Sequence, residues 1–437
     1  MITPNLFRRS VTLGAFAACF AAGLVADVAA GDWPNWRGPT LDGASEEGAL
    51  PDKLDASTQV WAVDLPGPSS GTPVVVGNRI FLGASDKATS NLVGMCVDRT
   101  TGKLLWTREI APSLASNKRN DLAAPSAVTD GKLVVFLYGS GDLAAFDAEG
   151  KALWTRNLQK DFGKFQIMWL YGSSPLLHKG RLFVQVLQNE NKKPADAESA
   201  SFLIALDPTT GKQAWIHRRV TPAKDESAES YGTPIIYTAN GREELTLFGA
   251  DLVTAHDPAT GKELWRCDGF NGNKAGNWRS IPSSTLIDGK VVSITARGGR
   301  MFAVKPGGSG DITASHVAWN TTELTTDVCN PLWYRGKMYV LDGDKKTLAC
   351  ADAATGKQLW KGDIPAKGVL RTSPTGGDGK IYVMDENGTV FVLATEEFKI
   401  LSSAELGAGG TARSSIPLTH GQVLVRTAEK LFAFGKK

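Results

Sequence analysis

Closely spaced cysteines are absent from this sequence of 437 residues. Its five cysteines include no adjacent pair, no CxxC and no CxxCH. Sites that hold zinc through neighbouring thiolates, and sites that attach haem covalently, both require such spacings. The sequence therefore predicts neither kind of site. It leaves open whether the widely separated Cys267 and Cys329 form a disulfide bond.

The sequence also lacks an excess of charge of either sign and a serine-hydrolase motif. Lysine and arginine total 48 against 45 aspartates and glutamates, which gives a net charge of +3. No basic stripe or DNA-reading helix motif accompanies this balance, so we predict no nucleic-acid partner. Gly-x-Ser-x-Gly does not occur, and the commonest signal of a serine hydrolase is therefore missing.

Long apolar runs are missing after the first 30 residues, so we predict no membrane span in the mature chain. The single run, residues 11–25, is shorter than the roughly 20 residues that cross a bilayer. It follows Arg8 and Arg9 and precedes Val28-Ala29-Ala30, whose small residues suit a signal peptidase. We therefore predict a secretory signal over residues 1–30, cleaved after Ala30, and a periplasmic or secreted protein. The choice between general secretion and twin-arginine export stays open.

What the sequence does contain is a repeat of the form Asp-x-x-x-Gly-x-x-x-Trp. An Asp that hydrogen-bonds its own turn, a Gly at positive φ and a Trp on the returning strand together describe a β-hairpin. A copy one residue shorter ends at Trp154, and a degenerate copy retains only the tryptophan of the motif, Trp319. The four full copies are Asp98-Gly102-Trp106, Asp207-Gly211-Trp215, Asp257-Gly261-Trp265 and Asp352-Gly356-Trp360.

A second, independent repeat consists of prolines separated by 43 to 59 residues. Each proline stands beside a short β-rich run, and each unit reads as four strands with the Asp-Gly turn before the last. Four strands in a period of about 40–50 residues are typical of a propeller blade. The prolines are Pro73, Pro125, Pro175, Pro234, Pro282, Pro331, Pro374 and Pro417.

The two repeats predict an all-β fold, an eight-bladed β-propeller of four-stranded antiparallel blades. The last unit contains only three strands, and residues 59–65 resemble the missing fourth. We therefore predict closure by pairing of this N-terminal strand with the C-terminal blade, which removes an open sheet edge. The predicted domains are the signal peptide (1–30), an N-terminal extension packing on the propeller (31–58) and the propeller (59–437). Seven blades with an appendage, or an open solenoid, are the alternatives.

The repeat motif, the eight predicted blades and the signal peptide resemble the PQQ-binding-like β-propeller superfamily. This superfamily includes quinoprotein alcohol dehydrogenases and BamB-like proteins. The opening Trp33-Pro34-Asn35-Trp36-Arg37-Gly38-Pro39 also resembles the start of many exported members. The resemblance covers the mature chain and implies its fold. It leaves the activity open, because the repeat motif builds blades.

For the dehydrogenases of that superfamily, the resemblance implies PQQ with Ca²⁺ held by carboxylate and amide side chains, and a catalytic aspartate. Many of them also place a disulfide between adjacent cysteines against the quinone. The adjacent cysteines are missing here, and we assign no residue as a metal ligand or as the catalytic aspartate. These absences favour a protein without enzymatic activity.

The segments just before the inner strand of each blade are predicted to face the mouth of the central funnel. Three guanidinium groups at comparable repeat positions would crowd positive charge near the axis, which is costly unless an anion lies among them. A tricarboxylate quinone stacked on tryptophan, an acidic polymer or a partner's carboxylates would suit this site. The alternative pairs each arginine with an acidic residue of a neighbouring blade. The candidate site residues are Trp169, Trp278, Arg279, Asn330, Arg371 and Arg413.

Segments that interrupt the repeat are further candidates for binding surfaces, because loops on a rigid ring often carry function. They are residues 159–172, the polar insertion 188–200 and residues 268–279. The tryptophan-bearing stretch 33–43 is expected to pack across the propeller face. An exposed strip that stacks on carbohydrate is the alternative.

The sequence thus favours an exported binding or scaffolding protein with a central funnel for an anionic ligand or a protein partner. A small anionic or carbohydrate ligand, or a protein, is expected at the propeller face, and the oligomeric state stays open. The alternative is a PQQ-dependent dehydrogenase that oxidises an alcohol or a sugar, with PQQ and Ca²⁺ near the arginines.

The predicted cleavage site is testable by mass. When the full chain is expressed in a Gram-negative host, the exported protein is expected to begin at Gly31, because the peptidase reads small residues at Val28 and Ala30. Intact mass and N-terminal sequencing check this. The variant Ala30→Phe should accumulate as uncleaved precursor, and a wild-type mature protein that still contains Arg8 would contradict the prediction.

Overall fold

Short antiparallel strands form eight sheets arranged around a common axis. The computed structural model describes residues 30–113, 119–189, 201–296, 299–407 and 409–437. The predicted signal peptide, apart from Ala30, and most of the insertion 188–200 lie outside these residues. None of the helices in the described ranges has the length and apolar content needed to span a membrane.

The sheets are numbered as blades one to eight in chain order. Blade one contains β2 (Val74–Val76), β3 (Arg79–Ser85), β4 (Asn91–Asp98) and β5 (Leu104–Pro112), and blade two contains β6 (Val128–Thr129), β7 (Leu133–Leu137), β8 (Asp142–Asp147) and β9 (Ala152–Asn157). Blade three contains β10 (Leu176–His178), β11 (Arg181–Val186), β12 (Phe202–Leu206) and β13 (Gln213–Arg218). Blade four contains β14 (Ile235–Ala239), β15 (Arg242–Gly249), β16 (Leu252–His256), β17 (Glu263–Cys267) and β21 (Gly310–Asp311).

The remaining blades follow the same order from the axis outwards. Blade five contains β18 (Thr285–Ile287), β19 (Lys290–Ile294), β20 (Met301–Val304) and β22 (Val317–Thr321), and blade six contains β23 (Leu332–Tyr334), β24 (Lys337–Asp342), β25 (Thr347–Ala351) and β26 (Gln358–Asp363). Blade seven contains β27 (Thr375–Gly377), β28 (Lys380–Met384), β29 (Thr389–Ala394) and β30 (Ile400–Glu405). Blade eight contains β31 (Leu418–Thr419), β32 (Gln422–Arg426), β33 (Lys430–Phe434) and β1 (Gln59–Asp64). The described helices are α1 (Leu158–Phe162), a 3₁₀ turn (Asp225–Ala228) and α2 (Thr313–His316).

The predicted all-β propeller of eight four-stranded blades is confirmed. In the eighth blade, β1 pairs antiparallel with β33, so that Trp61 lies opposite Ala433 and Val63 opposite Leu431. The fourth blade departs from the pattern, since β21 adds a short fifth strand parallel to β17. This strand belongs to the loop that precedes α2, which the sequence pattern did not distinguish from an ordinary turn.

The Asp-Gly-Trp repeat couples several of the blades to their neighbours. The indole of Trp106 packs against Gly150 of the next blade, where a Cβ atom would lie 2.8 Å from the ring. The same indole donates through Nε1 to the backbone oxygen of Ala148 at 3.1 Å. Gly150 also has a φ of 84°, a conformation that favours glycine. The repeat therefore builds contacts between blades as well as the hairpin turn.

A closed ring of eight hydrogen bonds joins the inner ends of the blades. In each blade one buried residue near the repeat proline donates its backbone N–H to a side-chain oxygen of the equivalent residue in the next blade, over 2.7 to 3.3 Å. Seven members are serine or threonine, and one is asparagine. In order around the axis they are Thr72, Ser126, Ser174, Thr233, Ser283, Asn330, Ser373 and Ser415.

The N-terminal segment 33–45 lies inside the ring of inner strands. Trp33 is buried and exchanges two backbone hydrogen bonds with Val75 in the inner strand of the first blade. The guanidinium of the fully buried Arg37 donates to the backbone oxygens of Pro374 at 2.9 Å and Pro331 at 3.2 Å. Ser45 donates its backbone N–H to Gly376 in the seventh blade. The segment therefore closes the axial channel at one end.

The four cysteines in the described residues are buried and free. The disulfide between Cys267 and Cys329 that the sequence left open is not formed, since the two side chains belong to separate hydrophobic clusters. Burial raises the pKa of the Cys329 thiol to about 12 and thereby keeps it protonated and unreactive.

One histidine is locked in its neutral form inside the fourth blade. His256 is fully buried, with Nδ1 3.1 Å from the backbone oxygen of Gly261 and Nε2 3.0 Å from Oγ1 of Thr254. Burial, together with the charge of His217, lowers the pKa of His256 to about 3. In the unfolded chain the same group takes up a proton near pH 6.5.

We expect the hydrogen-bonded ring to be sensitive to the loss of one acceptor. Thr233→Val keeps the side-chain volume but leaves the buried N–H of Ser174 without its partner, and should lower the free energy of unfolding by about 1–3 kcal/mol. Denaturant titration measures this. The control Thr260→Val removes the equivalent acceptor for Lys262 at an exposed turn and should change stability by less than about 0.5 kcal/mol. Equal losses in both variants would argue against the ring.

A second expectation concerns pH. The folded protein holds His256 neutral while the unfolded chain protonates it, so the protein loses stability as the pH falls from about 6.5 towards 3. The decrease in the free energy of unfolding reaches roughly 2 kcal/mol at pH 5. His256→Gln should flatten this part of the stability profile in denaturant titrations at pH 5 and 7. His316→Gln, at a half-buried histidine in α2, is the control for the loss of an imidazole, and an equal change in both variants would argue against His256 as the source.

Candidate functional site

A cavity of about 270 Å³ lies on the propeller axis. The segments that precede the inner strands of all eight blades line it, from Ser70 in the first blade to Ser415 in the eighth. The indole of Trp36, from the N-terminal segment, also lines it. Because residues 33–45 close the channel at one end, the cavity is a blind pocket with one mouth.

The structure brings four of the six predicted site residues together at this cavity. Trp169, Arg279, Arg371 and Arg413 all line it. The predicted position before each inner strand therefore does face the axis. Arg119 lines the same cavity and escaped prediction, because it lies seven residues before Ser126 and occupies no repeat position. Trp36 was not predicted as a site residue, because the stretch 33–43 was expected to pack across the propeller face.

Two predicted site residues do not line the cavity. Trp278 is half-buried beside it in the loop that delivers Arg279. Asn330 belongs to the hydrogen-bonded ring, where its side-chain oxygen accepts from the N–H of Ser283 at 3.0 Å and its amide donates back to Ser283 at 3.3 Å. Its role in the structure is to link the fifth and sixth blades. A small polar residue within two positions of every repeat proline was the sequence signal for that ring.

Each of the three predicted arginines pairs with carboxylates of a neighbouring blade. Arg279 contacts Glu226 and Asp327, both at 3.2 Å. Arg371 contacts Asp344 at 2.7 Å and also lies 3.7 Å from Asp327. Arg413 donates through Nε to Glu386 at 2.7 Å. The pairing alternative is therefore what the structure shows, and the guanidinium groups need no ligand to offset mutual repulsion.

The lining of the cavity nevertheless carries more positive than negative groups. Four arginines line it, whereas Asp327 and Glu386 are the lining carboxylates among the described residues. Burial opposes the charge of Arg371, but the hydrogen bond and charge of Asp344, together with Asp327, raise its pKa. The Arg371 guanidinium is thus held charged, and the ion pairs fix Arg279, Arg371 and Arg413 in place as donors to an acceptor in the cavity.

Hydroxyl groups add further donors around the cavity. Five members of the hydrogen-bonded ring line it, and each accepts a backbone N–H from its neighbour. Within the described ranges, none of these hydroxyls donates its own proton to a protein acceptor. They leave five O–H donors beside the guanidinium groups. The five are Ser126, Ser174, Thr233, Ser373 and Ser415.

Three aromatic side chains complete the lining. The guanidinium carbon of Arg119 lies 4.8 Å from the ring centre of Trp169, whose Nε1 donates to Glu226 at 2.8 Å. Tyr231 donates to Glu229 at 2.9 Å, and burial with the charge of Glu229 raises its pKa, so the phenol stays protonated. Trp36 contacts no other aromatic ring or cation among the described residues, and its indole is available to a ligand.

The residues around this cavity do not fit a quinone held by calcium. Ca²⁺ requires six to eight oxygen ligands, several of them from carboxylates. Here Asp327 contacts two arginines and Glu386 contacts a third. A divalent cation bound to these carboxylates would lie beside guanidinium groups, and like charges repel strongly in a partly buried site.

A second cluster, between the third and fourth blades, has the residue types of a metal site. The ligand atoms of His217, His256 and Glu263 lie within 4.8 Å of one another. Both ring nitrogens of His256 are already hydrogen-bonded, and both carboxylate oxygens of Glu263 accept from Arg266 at 2.6 and 2.9 Å. The cluster therefore offers a metal too few free ligand atoms.

Comparison with known proteins places this fold in a family. The sequence matches the family model described as outer membrane protein assembly factor BamB over residues 53–167, 89–326 and 252–434. It is 23% identical to the outer membrane protein assembly factor BamB of Burkholderia pseudomallei (strain K96243) over 390 residues, covering 84% of each chain.

Two dehydrogenases are also similar. A polyvinylalcohol dehydrogenase of Pseudomonas sp. is 26% identical over 236 residues, which cover 47% of this chain and 35% of that enzyme. The crystal structure of the quinohemoprotein alcohol dehydrogenase of Comamonas testosteroni superposes with a TM-score of 0.69 at 15% identity, over 94% of this chain and 81% of the enzyme. At that identity the structural likeness shows the fold alone.

The family model spans most of the chain, and the eight blades agree with it. This chain therefore belongs to the BamB-like family of PQQ-type β-propellers.

Proposed function

We propose that this protein is an exported binding or scaffolding module whose axial cavity holds an anionic ligand or the acidic side chain of a protein partner. The observation that carries the proposal is the set of donors around one blind cavity: four guanidinium groups and five hydroxyl protons. Such a lining is complementary to carboxylate oxygens, which only accept hydrogen bonds.

The proposal assigns a role to each part of the chain. Residues 1–30 direct export to the periplasm or beyond the cell, and residues 31–58 pack on the propeller and close the channel. Residues 59–437 form the propeller that presents the cavity. Scaffolding agrees with the family's description as an assembly factor and with a rigid ring whose loops are free to carry contacts.

The alternative, a PQQ-dependent dehydrogenase acting on an alcohol or a sugar, has weaker support. The dehydrogenases share the fold, but the carboxylates that line this cavity contact arginines and do not form a set of oxygen ligands for Ca²⁺. The sequence also lacks adjacent cysteines. The proposed module therefore binds its ligand without turning it over.

Isothermal titration of the mature protein with citrate and with an acetylated hexaglutamate peptide tests the proposal. Both probes should bind, and Arg413→Gln should weaken binding by about 10-fold or more, because it removes charged hydrogen-bond donors. Arg156→Gln is a matched control. Arg156 also donates through Nε to one carboxylate, and its side chain is 21% exposed against 20% for Arg413, but it lies away from the cavity.

Three outcomes would contradict the proposal. They are the absence of binding of either probe, unchanged binding in Arg413→Gln, and equal losses in Arg413→Gln and Arg156→Gln. A parallel sample is incubated with PQQ and Ca²⁺ and assayed for dye reduction with alcohols and aldoses. Tight uptake of the quinone with turnover would support the dehydrogenase instead.

A further inference from the structure

We propose that the ligand of the axial cavity is a sugar acid, a hydroxylated six-membered ring that carries a carboxylate, such as a uronic acid unit. This inference rests on the proposed anion-binding function and narrows it to one ligand class. Three features of the cavity carry it: an indole platform, a pair of neighbouring donor and acceptor groups, and an excess of cationic donors.

The platform is Trp36. Its indole lines the cavity beside the closed end of the channel, and the buried anchors Trp33 and Arg37 hold the segment on either side of it. Tryptophan combines a large apolar face with a polar N–H. Such a face suits the C–H surface of a saturated sugar ring, whereas a flexible acid without a ring has no flat surface to place there.

The donor and acceptor pair is Arg413 with Glu386. The pair is joined through Arg413 Nε and Glu386 Oε1 at 2.7 Å. Within the described part of the chain, no hydrogen bond engages Arg413 Nη2 or Glu386 Oε2. Both residues line the cavity, so this ion pair offers a ligand one unused donor and one unused acceptor. Adjacent hydroxyl groups of a sugar match this arrangement because each hydroxyl both donates and accepts.

The cationic donors are the reason for proposing that the sugar ring carries a carboxylate. Glu226 and Asp344 contact Arg279 and Arg371, but neither carboxylate lines the cavity. The four arginines are matched in number by the four paired carboxylates, but only Asp327 and Glu386 belong to the lining, so among the described residues the lining presents more cationic donors than carboxylate acceptors. A neutral sugar would leave these guanidinium groups without an added acceptor, whereas a carboxylate accepts from them and from the ring hydroxyls together.

The size of the cavity agrees with one sugar unit. Its volume of about 270 Å³ lies at the small end of ligand pockets, and the blind end admits a single ring or the terminal unit of a polymer. A free sugar acid and the end of an acidic polysaccharide share this chemistry, and titration with both separates the two sources.

Isothermal titration with three matched probes tests the inference on the mature protein. Glucuronate has the ring, the hydroxyls and the carboxylate, glucose lacks the carboxylate, and citrate lacks the ring. We expect glucuronate to bind at least 10-fold more tightly than glucose and citrate. Trigalacturonate binding at least 10-fold more tightly than glucuronate identifies a polymer end as the source, and equal binding identifies the free acid.

Variants separate the contributions of the platform and of the pair. Trp36→Leu should weaken glucuronate binding about 10-fold and Trp36→Phe much less, while citrate binding changes little in either. Glu386→Gln should weaken glucuronate binding and strengthen citrate binding, because it removes a negative charge from the site. Asp161→Asn breaks the matched ion pair with Arg156 outside the cavity and should change neither.

The failure of this inference is distinguishable from the failure of the proposed function. If citrate binds as tightly as glucuronate, or Trp36→Leu and Glu386→Gln bind glucuronate as the wild type does, the sugar acid is excluded while anion binding stands. If glucose binds as tightly as glucuronate, the carboxylate is not recognised and the inference is overturned. If neither citrate, glucuronate nor hexaglutamate binds, both proposals fail. Thermal denaturation of each variant shows whether a loss of binding comes from unfolding.

Discussion

The hydrogen-bonded ring around the axis is the constraint on which the rest of this propeller depends. Each blade donates a buried backbone N–H to a small polar side chain of the next blade. The ring closes where the N–H of Ser415 in the eighth blade donates to the hydroxyl of Thr72 in the first. A buried N–H without its partner is costly, so every blade has to hold its neighbour in register. The inner ends of the strands are therefore fixed, and the residues just before them converge on one point.

That convergence explains why the cavity holds both cationic donors and hydroxyl protons. Arg279, Arg371 and Arg413 precede the inner strands of the fifth, seventh and eighth blades, and carboxylates of adjacent blades fix their directions. Paired guanidinium groups lose little freedom when a ligand arrives, because the ion pairs have already ordered them. The same pairs disfavour a cation in the cavity. The proposed selection for an acceptor thus rests on the architecture of the ring and not on a local motif.

The sequence predicted the elements that repeat and missed those that occur once. The eight prolines and the Asp-Gly-Trp hairpins determined the number of blades, and the position before each inner strand located Trp169 and the three arginines. Asn330 stood at that position too, but its amide replaces a hydroxyl in the ring, which only the neighbouring blade reveals. Arg119 and Trp36 reach the cavity from segments without a repeat position, so no spacing in the sequence pointed to them. The added strand β21 was hidden for the same reason.

Arg37 has a consequence for the order in which the molecule is made. It lies near the start of the described residues, yet its guanidinium binds the carbonyl oxygens of Pro331 and Pro374, which the ribosome adds about three hundred residues later. The segment around Arg37 therefore cannot complete its contacts until synthesis of the chain is nearly finished. Closure of the channel at this end is in consequence a late step in the assembly of the toroid.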